Sequence, residues 1–496
     1  MADKTLIIGL DGANWELLDP WIEDGELPNL EELRESAVWG DHKSQLPPTT
    51  FPNWKCYSTG LNPGNLGVYW FEIIDMEEKM LSIPDSNSFQ GKELWDYLND
   101  HNLKAGVINM PTMYPPKEID GFIVCGGPGT SDSVYRDISG GYTHPKELEE
   151  ELERKEYPVH PKPLLTSRED SEEEVEAIHK VIEERFELAM DKMEEVDVLH
   201  VTLFYLNVLQ HFFWNEEPTR KAWKIIDSYL GKIKEKCDKE GYNLVLMSDH
   251  GCTEIHTEFY INKWLEKEGY YKRKAQTSDF LRKIGFNRET LIGIAKKLGV
   301  EKIAEYAPDF IQRLIPHKKG AVRSQKLKQA DLDQTVAVAS GQGPIYMNMS
   351  RDEKGYEEKR EEIIEKLRDL ESPVTDEKIF ENVYKSEELY GNLEGSSPDI
   401  VVSQKPGVTV SDRVGSGDIF DSPRKWLAEN KQRGMVLFYG KDFRKGKKVE
   451  GFDILDITPT VLHTVTNETP EVNGRSWNET NRELRKVDYQ GEELDI

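Results

Sequence analysis

The segment Leu246-Met247-Ser248-Asp249-His250-Gly251 sets a carboxylate beside an imidazole directly after an apolar run. An oxygen and a nitrogen donor offered to one point form a frequent ligand pair for zinc, manganese or iron. Near the start of the chain, Gly9-Leu10-Asp11-Gly12 puts another carboxylate after the apolar run Leu6 to Leu10. If both runs are strands of an open α/β sheet, Asp11 and the Asp249–His250 pair meet at its carboxyl edge, where ligands of such sheets bind. Plainer readings exist, since Asp-Gly is a common turn and an Asp-His pair can be structural. Thr50 stands in Pro47-Pro48-Thr49-Thr50-Phe51-Pro52-Asn53-Trp54. Proline two residues after it suits the first turn of a helix, whose free N–H groups and dipole favour an alkoxide or a phosphate. A helix cap by Thr49 or Thr50 would equally use the hydroxyl, but it leaves Asn53 unexplained. Asn207 and His211 are four residues apart and would share one helix face. A lone histidine before Phe212-Phe213-Trp214 also reads as a packed core residue.

These side chains need a scaffold that brings distant segments together. Short apolar runs bounded by turn residues read as buried strands: Leu6 to Leu10, Ala105 to Ile108, Gly121 to Val124, Val196 to Leu203, Asn243 to Met247, Ile400 to Val402 and Met435 to Tyr439. Helical patterns at Gly91 to Leu98, Glu172 to Glu194, Thr219 to Cys237 and Gly355 to Leu370 separate them. The alternation predicts an α/β fold with a mostly parallel central sheet and helices on both faces. Residues 272–330 lose the strand pattern and gain basic residues, so they read as a helical cap insertion between a first core part, 1–271, and a second, 331–480. Residues 481–496 read as a polar tail. Arg282, Lys283, Arg288 and Lys318 of the insertion are candidates to meet an anionic substrate, though each reads as well as a solvated helix residue.

The 496 residues carry a formal charge of −28, which argues against a general nucleic-acid or anionic-membrane binder, because both need a basic surface. An anionic substrate then needs local positive charge, for which a bound cation is the obvious source. Cys56, Cys125, Cys237 and Cys252 show no CxxC spacing, so neither a disulfide framework nor a cysteine zinc site is indicated. No stretch approaches the ~18 to 20 apolar residues of a membrane span. The expectation is a cytoplasmic protein without a membrane span; its oligomeric state is not legible.

The four segments, in this order, resemble the alkaline phosphatase superfamily, in its branch of type I phosphodiesterases, nucleotide pyrophosphatases and predicted phosphohydrolases or phosphomutases. The resemblance runs over roughly residues 4–476 and takes in Asn109-Met110-Pro111-Thr112-Met113-Tyr114-Pro115-Pro116 and Asp456-Ile457-Thr458-Pro459-Thr460-Val461-Leu462-His463. It implies an alkaline phosphatase-like fold and a metal-dependent phosphoester hydrolase acting on a small-molecule phosphoester. Thr50 matches the nucleophile, and Asn53 a residue that hydrogen-bonds phosphoryl oxygens. Asp11, Asp249 and His250 match, with Thr50, the ligands of one divalent metal: zinc first, with manganese or magnesium as alternatives. His211 matches a ligand of a second metal, but Asn207 stands where the family usually has aspartate and Asn430 where it usually has histidine. The resemblance therefore implies one tight metal site and leaves the second in question. A phosphomutase or phosphotransferase, or a noncatalytic member that binds a phosphorylated ligand or a partner, stays open beside the hydrolase. A sulfatase is disfavoured by the lack of a Cys-x-Pro-x-Arg segment.

Overall fold

The computed structural model describes residues 4–127, 141–169, 171–274, 327, 329–415, 417–423, 426–477 and the backbone of 485–487. The basic residues Arg282, Lys283, Arg288 and Lys318, most of the 272–330 insertion and most of the 481–496 tail lie outside the described residues. At the ends of the insertion, Arg273 and Ala330 form an antiparallel bridge, so the chain leaves and returns at one point.

Leu6, Ile7 and Ile8 are all fully buried although successive strand residues point to opposite faces, so the first strand is covered on both sides, as parallel sheets require. It lies inside a nine-stranded sheet whose order is Lys447–Asp453, Val38–Lys43, Arg433–Tyr439, Asn243–Met247, Thr5–Gly9, Val198–Thr202, Ala105–Ile108, Gly121–Val124 and Thr143–His144. Thr5–Gly9 pairs in parallel with both Val198–Thr202 and Asn243–Met247. Arg433–Tyr439 runs antiparallel to its two neighbours. The helices Pro28–Ser36, Glu172–Lys192 and Glu217–Glu240 pack together as one group. Thr50–Thr59, Leu94–Asp100 and Ile457–Thr466 form another.

The strands at Ala105, Gly121 and Asn243 begin and end where their apolar runs do. Ile400–Gln404 is a strand too, but it does not join the central sheet as expected. It belongs to a separate four-stranded antiparallel sheet with Ala337–Ala339, Pro344–Met347 and Phe380–Lys385, around a second hydrophobic cluster. An apolar run records burial and not the partner that buries it. Val38–Lys43, second from the sheet's edge, and Lys447–Asp453, at the edge itself, were not expected, because both are half-exposed and rich in polar residues and so lack an apolar run.

The helix at Thr50–Thr59 is anchored by a buried ion pair. Lys55 Nζ lies 2.7 Å from Glu93 Oε1, and Lys117 Nζ lies 2.9 Å from Glu93 Oε2. Ser58 Oγ and Trp95 Nε1 donate to the same carboxylate. Burial alone would raise the Glu93 carboxyl, but Lys55 and Lys117 overcome it and hold it at about 2 against an ordinary 4.5. Burial pushes Lys55 below its ordinary value, with Glu93 opposing. A depressed carboxylate stabilises the fold above its unfolded value, and that contribution is lost as pH falls through the folded value. Urea unfolding should therefore show stability from Glu93 falling away between about pH 4.5 and 2. Lys55→Met should cost about 3 kcal/mol by removing the fully buried partner of Glu93 and leaving its charge to Lys117 alone; a loss below about 1 kcal/mol would refute the anchoring role.

Candidate metal and nucleophile site

Topology alone gathers the candidate residues. Asp11 follows the Thr5–Gly9 strand, Asp249 and His250 follow the adjacent Asn243–Met247 strand, and the helix Tyr205–Phe212 carrying Asn207 and His211 follows Val198–Thr202. Because Arg433–Tyr439 is antiparallel, its starting end lies at this same edge, and Asn430 comes just before it. Asn430 is held there by the strand Ala428–Lys431, in register opposite Cys252, two residues after His250.

Thr50 is the first residue of its helix, and Thr49 at the cap position makes no side-chain cap hydrogen bond. The hydroxyl is thus not spent on capping. The first-turn N–H groups of a helix have no partner within it, and Pro52 contributes none. Thr50 Oγ1 instead lies 3.3 Å from His250 Nε2. His250 Nδ1 is 2.9 Å from the carbonyl of Gly251; a carbonyl can only accept, so Nδ1 carries the proton and Nε2 presents a lone pair, to which the Thr50 hydroxyl donates.

That lone pair faces Asp249 Oδ2 at 3.1 Å and Asp11 Oδ1 at 3.8 Å. Asp11, Asp249 and His250 are fully buried, and neither Asp11 Oδ1 nor Asp249 Oδ2 has a hydrogen-bond partner among the described residues. Candidate ligand atoms of all three lie within 4.8 Å of one another. Burial raises Asp249 to about 8 despite donors in the Gly12, Asp249 and His250 backbone. Burial and the neighbouring Asp249 raise Asp11 well above the ordinary carboxylate value, opposed by the Trp54 indole and the Asn207 amide. Burial also drives His250 down to about 3. Three acceptors facing one another in a dry site repel unless positive charge stands between them, so this donor set fits a divalent cation. Carboxylate, carboxylate and imidazole suit zinc and would accept manganese.

Asn53 is buried at the same helix, but its hydrogen bonds shape the preceding loop. Its Nδ2 donates to the carbonyls of Gln45, Pro47 and Thr49, and its Oδ1 accepts from the Gln45 N–H. To bind phosphoryl oxygens it would have to exchange some of these bonds.

Asn207, His211 and Asn430 do come together, yet as a hydrogen-bonded set of neutral groups. Asn207 Nδ2 lies 3.2 Å from His211 Nε2 and 3.1 Å from Asn430 Oδ1. These residues do not fit a second tight cation, because two amides supply no charge and their polar atoms already satisfy one another.

Sequence reasoning passed over three neighbours. Trp54 stands four residues after Thr50, on the same helix face, and its Nε1 donates to Asp11 Oδ2 at 3.1 Å. Gln210, three after Asn207, donates to Asn207 Oδ1 at 3.1 Å. His42, from the strand Val38–Lys43 beyond Arg433–Tyr439, donates through Nε2 to the Ser248 carbonyl at 2.7 Å, pinning the turn that carries Asp249. Only the helical spacing of the first two could have signalled them. Gly12 has φ +72°, and a Cβ there would meet Asn207 Oδ1 at 2.2 Å, so the Asp-Gly turn lets the helix side chain close onto the site.

A dry oxygen–nitrogen cluster and a helix-terminal threonine at the carboxyl edge of a mostly parallel sheet are the features of a metal-dependent phosphoester hydrolase. The type I phosphodiesterase / nucleotide pyrophosphatase family model matches residues 5–432. The chain belongs to that family, whose members are phosphoric ester hydrolases. Similar solved structures include human ectonucleotide pyrophosphatase / phosphodiesterase 5, with 14% identity, 93% of this chain and 94% of the other covered, and a TM-score of 0.53. Phosphonoacetate hydrolase from Sinorhizobium meliloti 1021, in complex with phosphonoformate, gives 14% identity, 94% and 95% coverage, and a TM-score of 0.59. Both likenesses concern the fold, which is alkaline-phosphatase-like. No sequence among curated proteins matches. No helix among the described residues is long and apolar enough to cross a membrane.

Trp54→Phe keeps the aromatic bulk and removes the donor that orients Asp11. Outer hydrogen bonds of this kind are worth about 10–100-fold in metal affinity, so zinc titration should show a loss in that range with a nearly unchanged melting temperature. Unaltered affinity would show that Asp11 needs no such support.

Proposed function

We propose that this chain hydrolyses phosphodiester or nucleotide-sugar-like small molecules with Thr50 as the nucleophile. Asp11, Asp249, His250 and Thr50 would hold a divalent cation, zinc in the first place. The observation that carries the reading is the convergence of the unprotonated His250 Nε2, the unpartnered Asp11 Oδ1 and Asp249 Oδ2, and the Thr50 hydroxyl at the start of its helix. The cation, when bound, supplies Lewis acidity that favours the Thr50 alkoxide at neutral pH.

The remaining steps belong to the chain. Thr50 Oγ1, having lost its proton to solvent, attacks phosphorus in line; a new O–P bond forms, and the bond to the leaving oxygen breaks, its electron pair departing with that group, which takes a proton from solvent. Free N–H groups in the first helical turn offer hydrogen bonds to the phosphoryl oxygens, where charge accumulates. Water then attacks the phosphothreonine; the O–P bond to Thr50 breaks with its electron pair staying on Oγ1, and a proton released by the water restores the Thr50 hydroxyl. The same intermediate passed to another acceptor would make the enzyme a phosphomutase or phosphotransferase.

The bridge between Arg273 and Ala330 supports reading 272–330 as an insertion, which we take to be a cap that selects substrate. Four buried, free cysteines favour a reducing compartment such as the cytoplasm. The neutral Asn207–His211–Asn430 set favours a second reading, a binding protein without turnover.

Thr50→Ala separates the two. For the hydrolase, turnover of an aryl phosphodiester should fall by about a thousandfold or more, and no acid-stable phosphate should be trapped on the protein. A variant that retains wild-type turnover would remove Thr50 from the chemistry, and a wild type that binds phosphorylated ligands without turning them over would select the binding protein. Chelation should abolish activity, and zinc should restore it more fully than manganese or magnesium; restoration by magnesium alone would reject zinc.

A further inference from the structure

Beside the cation cluster, the carboxyl edge carries Asn207, Gln210, His211 and Asn430, all buried. His211 Nδ1 donates to the Ala428 carbonyl at 2.8 Å, which leaves Nε2 as an acceptor. Asn207 Nδ2 fills that acceptor at 3.2 Å and also donates to Asn430 Oδ1 at 3.1 Å. Gln210 Nε2 in turn donates to Asn207 Oδ1 at 3.1 Å and approaches the Asp11 carbonyl at 3.4 Å. The contrast with the neighbouring cluster is one of sign. There, lone pairs face lone pairs; here, His211 Nε2, Asn430 Oδ1 and Asn207 Oδ1 are each turned toward an N–H group, and among these four residues Gln210 Oε1 is left as a buried acceptor without a partner.

We infer that the chain holds one cation, at Asp11, Asp249 and His250, and that Asn207 and Asn430 alone have turned an adjacent cation position into a neutral, internally hydrogen-bonded wall. The inference rests on reading the first cluster as a cation site. Asn207 and Asn430 differ from the ligating types Asp and His only in their ends, and the helix and the paired strand already hold them in contact with each other and with His211. Asn207→Asp removes the donor that occupies His211 Nε2 and puts a carboxylate next to it. Asn430→His supplies a second imidazole. The altered wall would then hold the donor classes that bind zinc, two imidazoles and a carboxylate, in place of amides that bind it poorly. Glu429, buried and hydrogen-bonded by Gln342 and Thr409, adds a negative charge close to the position.

The test is zinc stoichiometry by elemental analysis of the full chain after reconstitution and desalting, with thermal unfolding measured with and without zinc. One zinc per wild-type chain and two per N207D/N430H chain are expected, with zinc raising the melting temperature of the double variant more than that of wild type. Two per wild-type chain, or one per double variant with a native circular dichroism spectrum, would overturn the inference while leaving the first cluster intact. None in the wild type would instead overturn the reading of the first cluster itself, so the two failures are distinguishable. Should the double variant not fold, the isosteric N207D variant is titrated calorimetrically. A second zinc-binding event absent from wild type supports the inference, and its absence from a folded N207D chain overturns it.

Discussion

Two carboxylate oxygens and an imidazole lone pair are held face to face at zero solvent exposure, and the surrounding fold must oppose their repulsion wherever no positive charge stands between them. Asp11 and Asp249 are each tied to a strand that is hydrogen-bonded to the other, so backbone pairing keeps the two carboxylates from separating. His42 and the Met435 N–H hold the Ser248 turn from the far side, the latter through the Ser248 hydroxyl. The apolar strands that form the core thus also store an electrostatic demand at their ends.

The Thr50 helix answers that demand from a second direction. It brings a hydroxyl to His250, an indole N–H to Asp11 and the positive end of its dipole to the same space. Lys55, on the same helix, is secured to Glu93 and helps to fix that orientation. A buried ion pair is weak evidence for stability, and here its value lies in orientation, since helix rotation would break the Lys55 contact together with the Trp54 and Thr50 contacts.

On the other side of Asp11, the amide and imidazole groups satisfy one another without formal charge. On the proposed reading, the positive charge for a phosphoryl group would come from one side of the edge, from a cation in the first cluster and from the helix start. Neutral hydrogen bonds on the opposite side rigidify the wall through mutual satisfaction.

The central strands, the long helices and the chemical types at Asp11, Thr50, Asp249 and His250 were determined by the sequence itself, because burial periodicity and ligand chemistry are local properties of residue type and order. Tertiary structure decided the rest. Whether Thr50 capped its helix, which nitrogen of His250 was unprotonated and how Asn53 spent its hydrogen bonds depended on neighbours supplied by loops and strands distant in the chain. The assignment of Ile400–Gln404 to a second sheet, and the meeting of Asn207 with Asn430 across 223 positions of separation, were likewise set by strand pairing. Residue type announces which bonds a side chain can make; only the folded chain decides which of them are already taken.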